Sequence, residues 1–327
     1  MNRKKRILML ATVSAITCVG AFVGCASNDS GNVNPNHSHS FKYYTYDGNA
    51  TCTKDGTLTA KCEYCDERHT IVNSGSKLAH DYEDGVCKNC GTLKPTEGIV
   101  YSVDSYGVCY VADKGTATDA RIILASEYEG KPVQYIGDRA FRFGKFESIM
   151  IPDSIKHFGD QAFEGCELTG IIIPKSVKQI GKNAFQACKN LSAVSLPDSV
   201  TNIGDDIFAY CDSLTEVILP DSITEIPLGA FIGCKNLSKI KLPENANVED
   251  AGFRDCGSLT EICIGKGAAY IGNLAFEDCV NLTKITFEGT KEQWVKMYKK
   301  ADWDKNAGEY TVICTDGKLD KNGNEIA

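Results

Sequence analysis

The sequence predicts a repeat solenoid of short parallel strands joined by helical or irregular convex turns, preceded by a small module rich in cysteine and histidine. Three observations carry this expectation. Phenylalanine recurs at 141, 163, 185, 208, 231, 253 and 276, at steps of 22, 22, 23, 23, 22 and 23 residues, and a fixed period of that length marks stacked supersecondary units. Between these residues, alternating apolar stretches end in proline, as in Val194-Ser195-Leu196-Pro197 and Val217-Ile218-Leu219-Pro220. Ahead of them, His37, His39, Cys52, Cys62, Cys65, His69, His80, Cys87 and Cys90 crowd into one segment.

Residues 1–24 read as a secretory signal, with basic Arg3 to Arg6, an apolar run from Ile7 to Val23, and then small residues. The run is broken by Ser14, Thr17 and Gly20, and no basic stop-transfer cluster follows, which argues against a membrane span. The tetrapeptide Phe22-Val23-Gly24-Cys25 resembles the lipobox of bacterial lipoproteins, although Phe22 stands where leucine is usual. That resemblance implies acylation of Cys25, an exported chain, and a lipid anchor on the extracellular face of the cell membrane. Residues 25–38 then supply the lipidated cysteine and a flexible tether rich in Asn, Ser and Gly.

The module at 39–92 contains two Cys-x2-Cys knuckles, Cys62/Cys65 and Cys87/Cys90, separated by a spacing slightly longer than that of a zinc ribbon. A Cys-x2-Cys turn directs two thiolates at one ion, so these four cysteines form the first expected ligand set for a structural zinc. The segment also divides into two similar units, which gives the alternative set His39, Cys52, Cys62 and Cys65. The second, shortened unit would offer His80, Cys87 and Cys90. Disulfides are the competing reading for an exported chain, but the five cysteines of the module cannot all pair with one another. No H-E-x-x-H pattern accompanies them, so a hydrolase or redox enzyme built on this module is the weaker expectation, and His69 reads as a surface residue.

Residues 93–132 are expected to cap the solenoid at its N-terminal end, 133–288 to form seven repeats, and 289–327 to cap the C-terminal end. In each repeat the strand ends at proline, and a short apolar step such as Val177-x-x-Ile180-Gly181 returns the chain to the next Ala-Phe. Cys166, Cys188, Cys211, Cys234, Cys256 and Cys279 each follow a Phe by three residues and should point inward as small apolar groups. The pattern from Ile180 to Val200, Ile-Gly-x-x-Ala-Phe-x-x-Cys-x-x-Leu-x-x-Val-x-Leu-Pro-x-Ser-Val, closely resembles the leucine-rich repeats of BspA-like bacterial surface proteins. Pro227, Gly252 and Gly265 depart from it locally. The resemblance implies cell-surface attachment and binding of a host, matrix or bacterial protein, without a reaction or a small-molecule substrate.

Two columns of residues are expected to face outward from the strands. One runs Ser148, Gly170, Ala193, Glu216, Lys239, Glu261 and Lys284; the other runs Met150, Ile172, Ser195, Ile218, Lys241, Cys263 and Thr286. Exposed Met150, Ile172 and Ile218 make the N-terminal half of this face the expected contact patch, with Ser195, Glu216, Lys239 and Lys241 beside it. A net charge of −8, with the only dense basic run inside the signal, argues against nucleic acid as a partner. An envelope scaffold without an external ligand is the alternative role.

Overall fold

The computed structural model describes residues 40–326 except Lys42, Tyr64 and Gly75. The signal at 1–24, Cys25, the tether at 25–38 and His39 lie outside the described residues. The chain divides after Lys94 into two compact units.

In the first unit, strands Thr45–Tyr46, Thr57–Lys61 and Arg68–Val72 form an antiparallel sheet. A separate hairpin pairs Tyr82–Glu83 with Val86–Cys87. Asp84 and Gly85 both take positive φ, 50° and 77°, as the tight turn of that hairpin requires.

The second unit is a solenoid with two strand ladders. The first contains the proline-ended strands, paired in parallel in three sheets: Arg121–Ile123 with Ser148–Met150; Ala193–Ser195 with Glu216–Ile218; and Lys239–Lys241, Glu261–Ile264, Lys284–Phe287 and Thr311–Cys314. Between the first two sheets, Ile171 to Ile173 form no strand, and Gly170 alone bridges to Ala193. The preceding turn is one residue shorter here, Cys166 to Leu168 against Cys188 to Leu191, and Gly170 has no side chain to pack.

The apolar step after each proline is a second strand rather than a plain turn. Cys109–Asp113, Lys131–Ile136, His157–Phe158, Gln179–Ile180 and Asn202–Ile203 form one parallel run, and Glu225–Ile226, Asn247–Val248, Tyr270–Ile271 and Tyr298–Lys299 form another. The interruption falls at Pro227. In other coils the residue after the strand donates its N–H to the coil before, as in Gly181 N to Phe158 O (2.9 Å) and Gly204 N to Ile180 O (2.9 Å). Proline has no N–H to give. Glycine at these positions also permits close approach, since a Cβ on Gly204 would stand 2.4 Å from Lys182 N.

The third side of each coil is a tight turn around the repeated Phe. Backbone bonds such as Phe163 N to Ala184 O (2.8 Å) and Phe185 N to Ile207 O (2.9 Å) tie it to the next coil. The seven rings lie nearly parallel in one column with centroids 5.1 to 5.6 Å apart. The six cysteines that follow a Phe by three residues are all buried, and each thiol donates to the carbonyl of a Phe in the preceding coil, from Cys166 to Phe141 O (2.8 Å) through Cys279 to Phe253 O (3.1 Å). Burial pushes these thiols up, to about 12 at Cys234 and Cys279. One continuous apolar core runs from Cys109 to Leu319.

The ends are more regular than expected. Ahead of Val133, the chain already forms rungs of both ladders, closed by Val100–Val103 pairing antiparallel to Cys109–Asp113. At the other end, Gly317–Leu319 turns antiparallel onto Thr311–Cys314, and Glu325–Ile326 pairs antiparallel with Gly317–Leu319. Helix Lys291–Lys296 begins with a reciprocal capping box between Thr290 and Gln293, and its Trp294 is buried against Phe287 and Trp303. Among the described residues, no helix is long and apolar enough to cross a membrane.

Candidate functional site

The strand register brings the outward columns together as the alternation requires. Ala193 pairs with Glu216 and Ser195 with Ile218; Lys239 pairs with Glu261 and Lys241 with Cys263. Gly170 bridges to Ala193, which sets Ile172 beside Ser195. Residues between the columns, Ile149, Val194, Val217 and Ile240, are buried. Met150, Ile172 and Ile218 are 41%, 85% and 54% exposed, and Ser195, Glu216, Lys239 and Lys241 are also exposed.

The two halves of this face differ chemically. Toward the C-terminus it is cross-linked by charge: Lys239 Nζ lies 3.2 Å from Glu261, which also meets Lys284, and Lys241 Nζ lies 2.7 Å from Glu288. The Lys284 ammonium holds the Glu261 carboxyl below its usual range, and Lys241 does the same for Glu288. Toward the N-terminus the exposed positions are aliphatic, and Arg121 Nη2 donates to the Met150 sulfur at 2.8 Å. An open groove of about 500 Å³ adjoins this half, lined by Ser195, Leu196, Pro197, Ile218, Leu219 and Pro220 together with Lys175, Asp198, Ser199 and Asp221. The groove has no counterpart in the repeat pattern, because it arises where successive strand-ending prolines, Pro197 and Pro220, lie side by side.

In the small module, the structure separates the two knuckles. Cys87 and Cys90 converge with Cys52 and His80, and the ligand atoms of these four residues lie within 4.8 Å of one another. Cys62 and Cys65 stand outside that group, between strands Thr57–Lys61 and Arg68–Val72. The first expected set therefore contributes half of its members, and Cys52 joins the second unit instead of the first. Local backbone bonds account for the convergence. Gly91, at φ 73°, donates to Cys87 O (2.8 Å), and Cys87 N donates to Thr92 O (2.8 Å), which curls the knuckle. Leu78 N donates to Thr51 O (3.0 Å) and draws the segment leading to His80 alongside Cys52. Burial opposes ionisation of the Cys87 thiol, but hydrogen bonding with His80 and with the backbone of Asn89 and Cys90 brings it down to about 6. Its bond to Cys90, with burial, pushes Cys52 up to about 11.

Among the described residues, the two other histidines, His157 and His69, have structural neighbours. His157 stacks on Tyr135 at 4.6 Å, Tyr135 stacks on Tyr110, and burial lowers the imidazole. Exposed His69 meets Tyr44 Oη at 2.6 Å. Trp294 and Met297 are buried in the C-terminal cap, whereas Tyr298 is exposed on a strand.

A sequence profile described as BspA type Leucine rich repeat region matches residues 130–237 and 181–298, in six copies. The T. pallidum leucine rich repeat protein TpLRR resembles the chain with a TM-score of 0.53 and 29% identity, over 57% of this chain and 89% of that one. A leucine-rich repeat protein from Bacteroides ovatus aligns with a TM-score of 0.47 and 24% identity, over 67% of this chain and 70% of its own. No curated protein matches the sequence.

Proposed function

We propose, from the premise that the chain belongs to the BspA type leucine rich repeat family, that it is a surface-displayed lipoprotein whose solenoid binds a protein partner on a host, in its matrix or on another bacterium. The observation that carries this reading is the exposed aliphatic run Met150, Ile172 and Ile218, beside a groove of about 500 Å³. Aliphatic side chains on the solvent face of a strand add nothing to the fold, so three of them in one column, interrupted only by Ser195 and beside a concavity, are suited to being covered by a partner. The ion-paired remainder of the face, from Lys239 to Glu288, would form a polar rim that disfavours poorly matched partners. Signal residues 1–24 and Cys25 would deliver and anchor the chain.

The test is binding of the purified chain to a panel of extracellular-matrix proteins and to whole bacterial cells, using wild type and the combined Met150→Ala, Ile172→Ala, Ile218→Ala variant. The expected result is binding by wild type that falls at least tenfold in the variant while its thermal melt stays unchanged. Equal binding by both would remove this face from the reading. On intact producing cells, an antibody should reach the protein without detergent, and Cys25→Ser should release it from the membrane fraction.

A further inference from the structure

The small module contains very little with which to hold itself together. Its buried apolar residues are Ala50, Cys52, Ala60, Cys62 and Cys87, and no large aliphatic or aromatic side chain is buried among its described residues. A unit of this size without such a core requires a cross-link, either a disulfide or a metal.

The cluster of Cys52, His80, Cys87 and Cys90 has the dimensions of the second kind. Cys52 Sγ and Cys87 Sγ are 3.8 Å apart, and Cys90 Sγ lies 3.4 Å from His80 Nδ1. Zinc bound tetrahedrally, with Zn–S of ~2.3 Å and Zn–N of ~2.0 Å, separates two sulfurs by ~3.8 Å and a sulfur from a nitrogen by ~3.6 Å. A disulfide would require sulfurs ~2.05 Å apart. We propose that Cys52, His80, Cys87 and Cys90 form a closed, structural zinc site.

Three thiolates and one imidazole suit zinc better than the oxygen-seeking cations, and four protein ligands leave no position for a substrate. Cys52 lies far from the knuckle in sequence, so the ion fastens the loop after the first strand to the hairpin that ends the module. Thr92 Oγ1, 3.2 Å from Cys90 Sγ, is placed to donate to the bound thiolate and hold its orientation. Folding of 40–94 then depends on zinc, whereas the solenoid, with its own continuous core, does not.

The test uses the full chain loaded with zinc alone, measured by elemental analysis, and with cobalt(II), measured by visible absorption. Cys52→Ser and His80→Ala should each lower the zinc content by one ion per chain, and Cys52→Ser should also weaken the sulfur-to-cobalt charge-transfer band. Cys90→His keeps four ligands, so it should retain the ion with a shifted cobalt spectrum, a result that a merely misfolded variant does not give. The Cys62→Ser, Cys65→Ser double variant should keep the zinc bound by this cluster. Recovery of a Cys52–Cys87 disulfide with no zinc would overturn the proposal. So would full zinc content in Cys52→Ser, or loss of all zinc only in the Cys62→Ser, Cys65→Ser variant.

Discussion

Replacing Phe208 by alanine tests whether the ring column is the spine of the solenoid. The ring is fully buried and lies between Phe185, at 5.6 Å and 9°, and Phe231, at 5.5 Å and 21°. Truncating a buried Phe costs ~3–5 kcal/mol, and each ring pair contributes ~0.5–1.5 kcal/mol of that beyond simple burial. A loss of about 4 kcal/mol corresponds to roughly a thousandfold in the folding equilibrium, and with a urea dependence of ~3 kcal/mol per molar it moves the midpoint down by ~1.3 M. The assay is urea unfolding followed by far-ultraviolet circular dichroism and by tryptophan fluorescence. Both tryptophans, Trp294 and Trp303, sit at the C-terminal end, so fluorescence reports a site several coils away. Because one core runs the length of the solenoid, the two signals should shift together. Phe141→Ala is the internal comparison: its ring stacks on Phe163 and meets Phe146 edge-on, so it too has two ring partners and its loss should agree with that of Phe208→Ala to within ~1 kcal/mol. A loss below ~1.5 kcal/mol for Phe208→Ala, or a loss for Phe141→Ala that differs from it by much more than this, would refute the reasoning.

Four further outcomes follow from the same structure. Thiol titration of the native chain at pH 8 should leave Cys166, Cys188, Cys211, Cys234, Cys256 and Cys279 unreacted until unfolding; prompt labelling of Cys211 would contradict the ladder. Since burial raises Cys234 and Cys279 from an ordinary 9.0 to about 12, their contribution is complete below pH 9 and is lost as pH rises from 9 toward 12, so urea midpoints should decline across that window. Glu277→Ala removes a buried carboxylate 2.8 Å from both Arg254 and Lys305; with both cations half solvated the loss should be about 2 kcal/mol, read in a thermal melt and little changed by added salt. Thr290→Ala opens the capping box and should cost about 1 kcal/mol, seen first in the fluorescence of neighbouring Trp294.

The solenoid was legible in the sequence because its signal is repeated. A buried Phe every 22 or 23 residues, a Cys three positions on and alternation before each proline are constraints that every coil must satisfy, so the inward and outward columns could be assigned with correct register. The second ladder was not legible. Its strands are mostly two residues long, as at Gln179–Ile180, too short for alternation to appear, and they exist because neighbouring coils supply hydrogen-bond partners. The regular ends were missed for the same reason: Arg121–Ile123 is a rung through its pairing with Ser148–Met150, although it lacks the repeat motif. In the module, spacing identified the ligand types but could not say which loop folds onto which knuckle. That choice depends on long-range contacts such as Leu78 N to Thr51 O and Lys77 N to Asp55 Oδ1, which leave no periodic trace.

The serial stacking of coils also determines how the protein should respond to force. Backbone hydrogen bonds join each coil only to the coils on either side of it, with ion pairs such as Lys241–Glu288 reaching one coil further, so a load applied along the chain from its ends meets essentially one coil interface at a time. Releasing a coil of ~22 residues frees roughly 75 Å of contour length at ~3.4 Å per residue. An attachment built this way yields in steps of nearly equal length instead of failing at once.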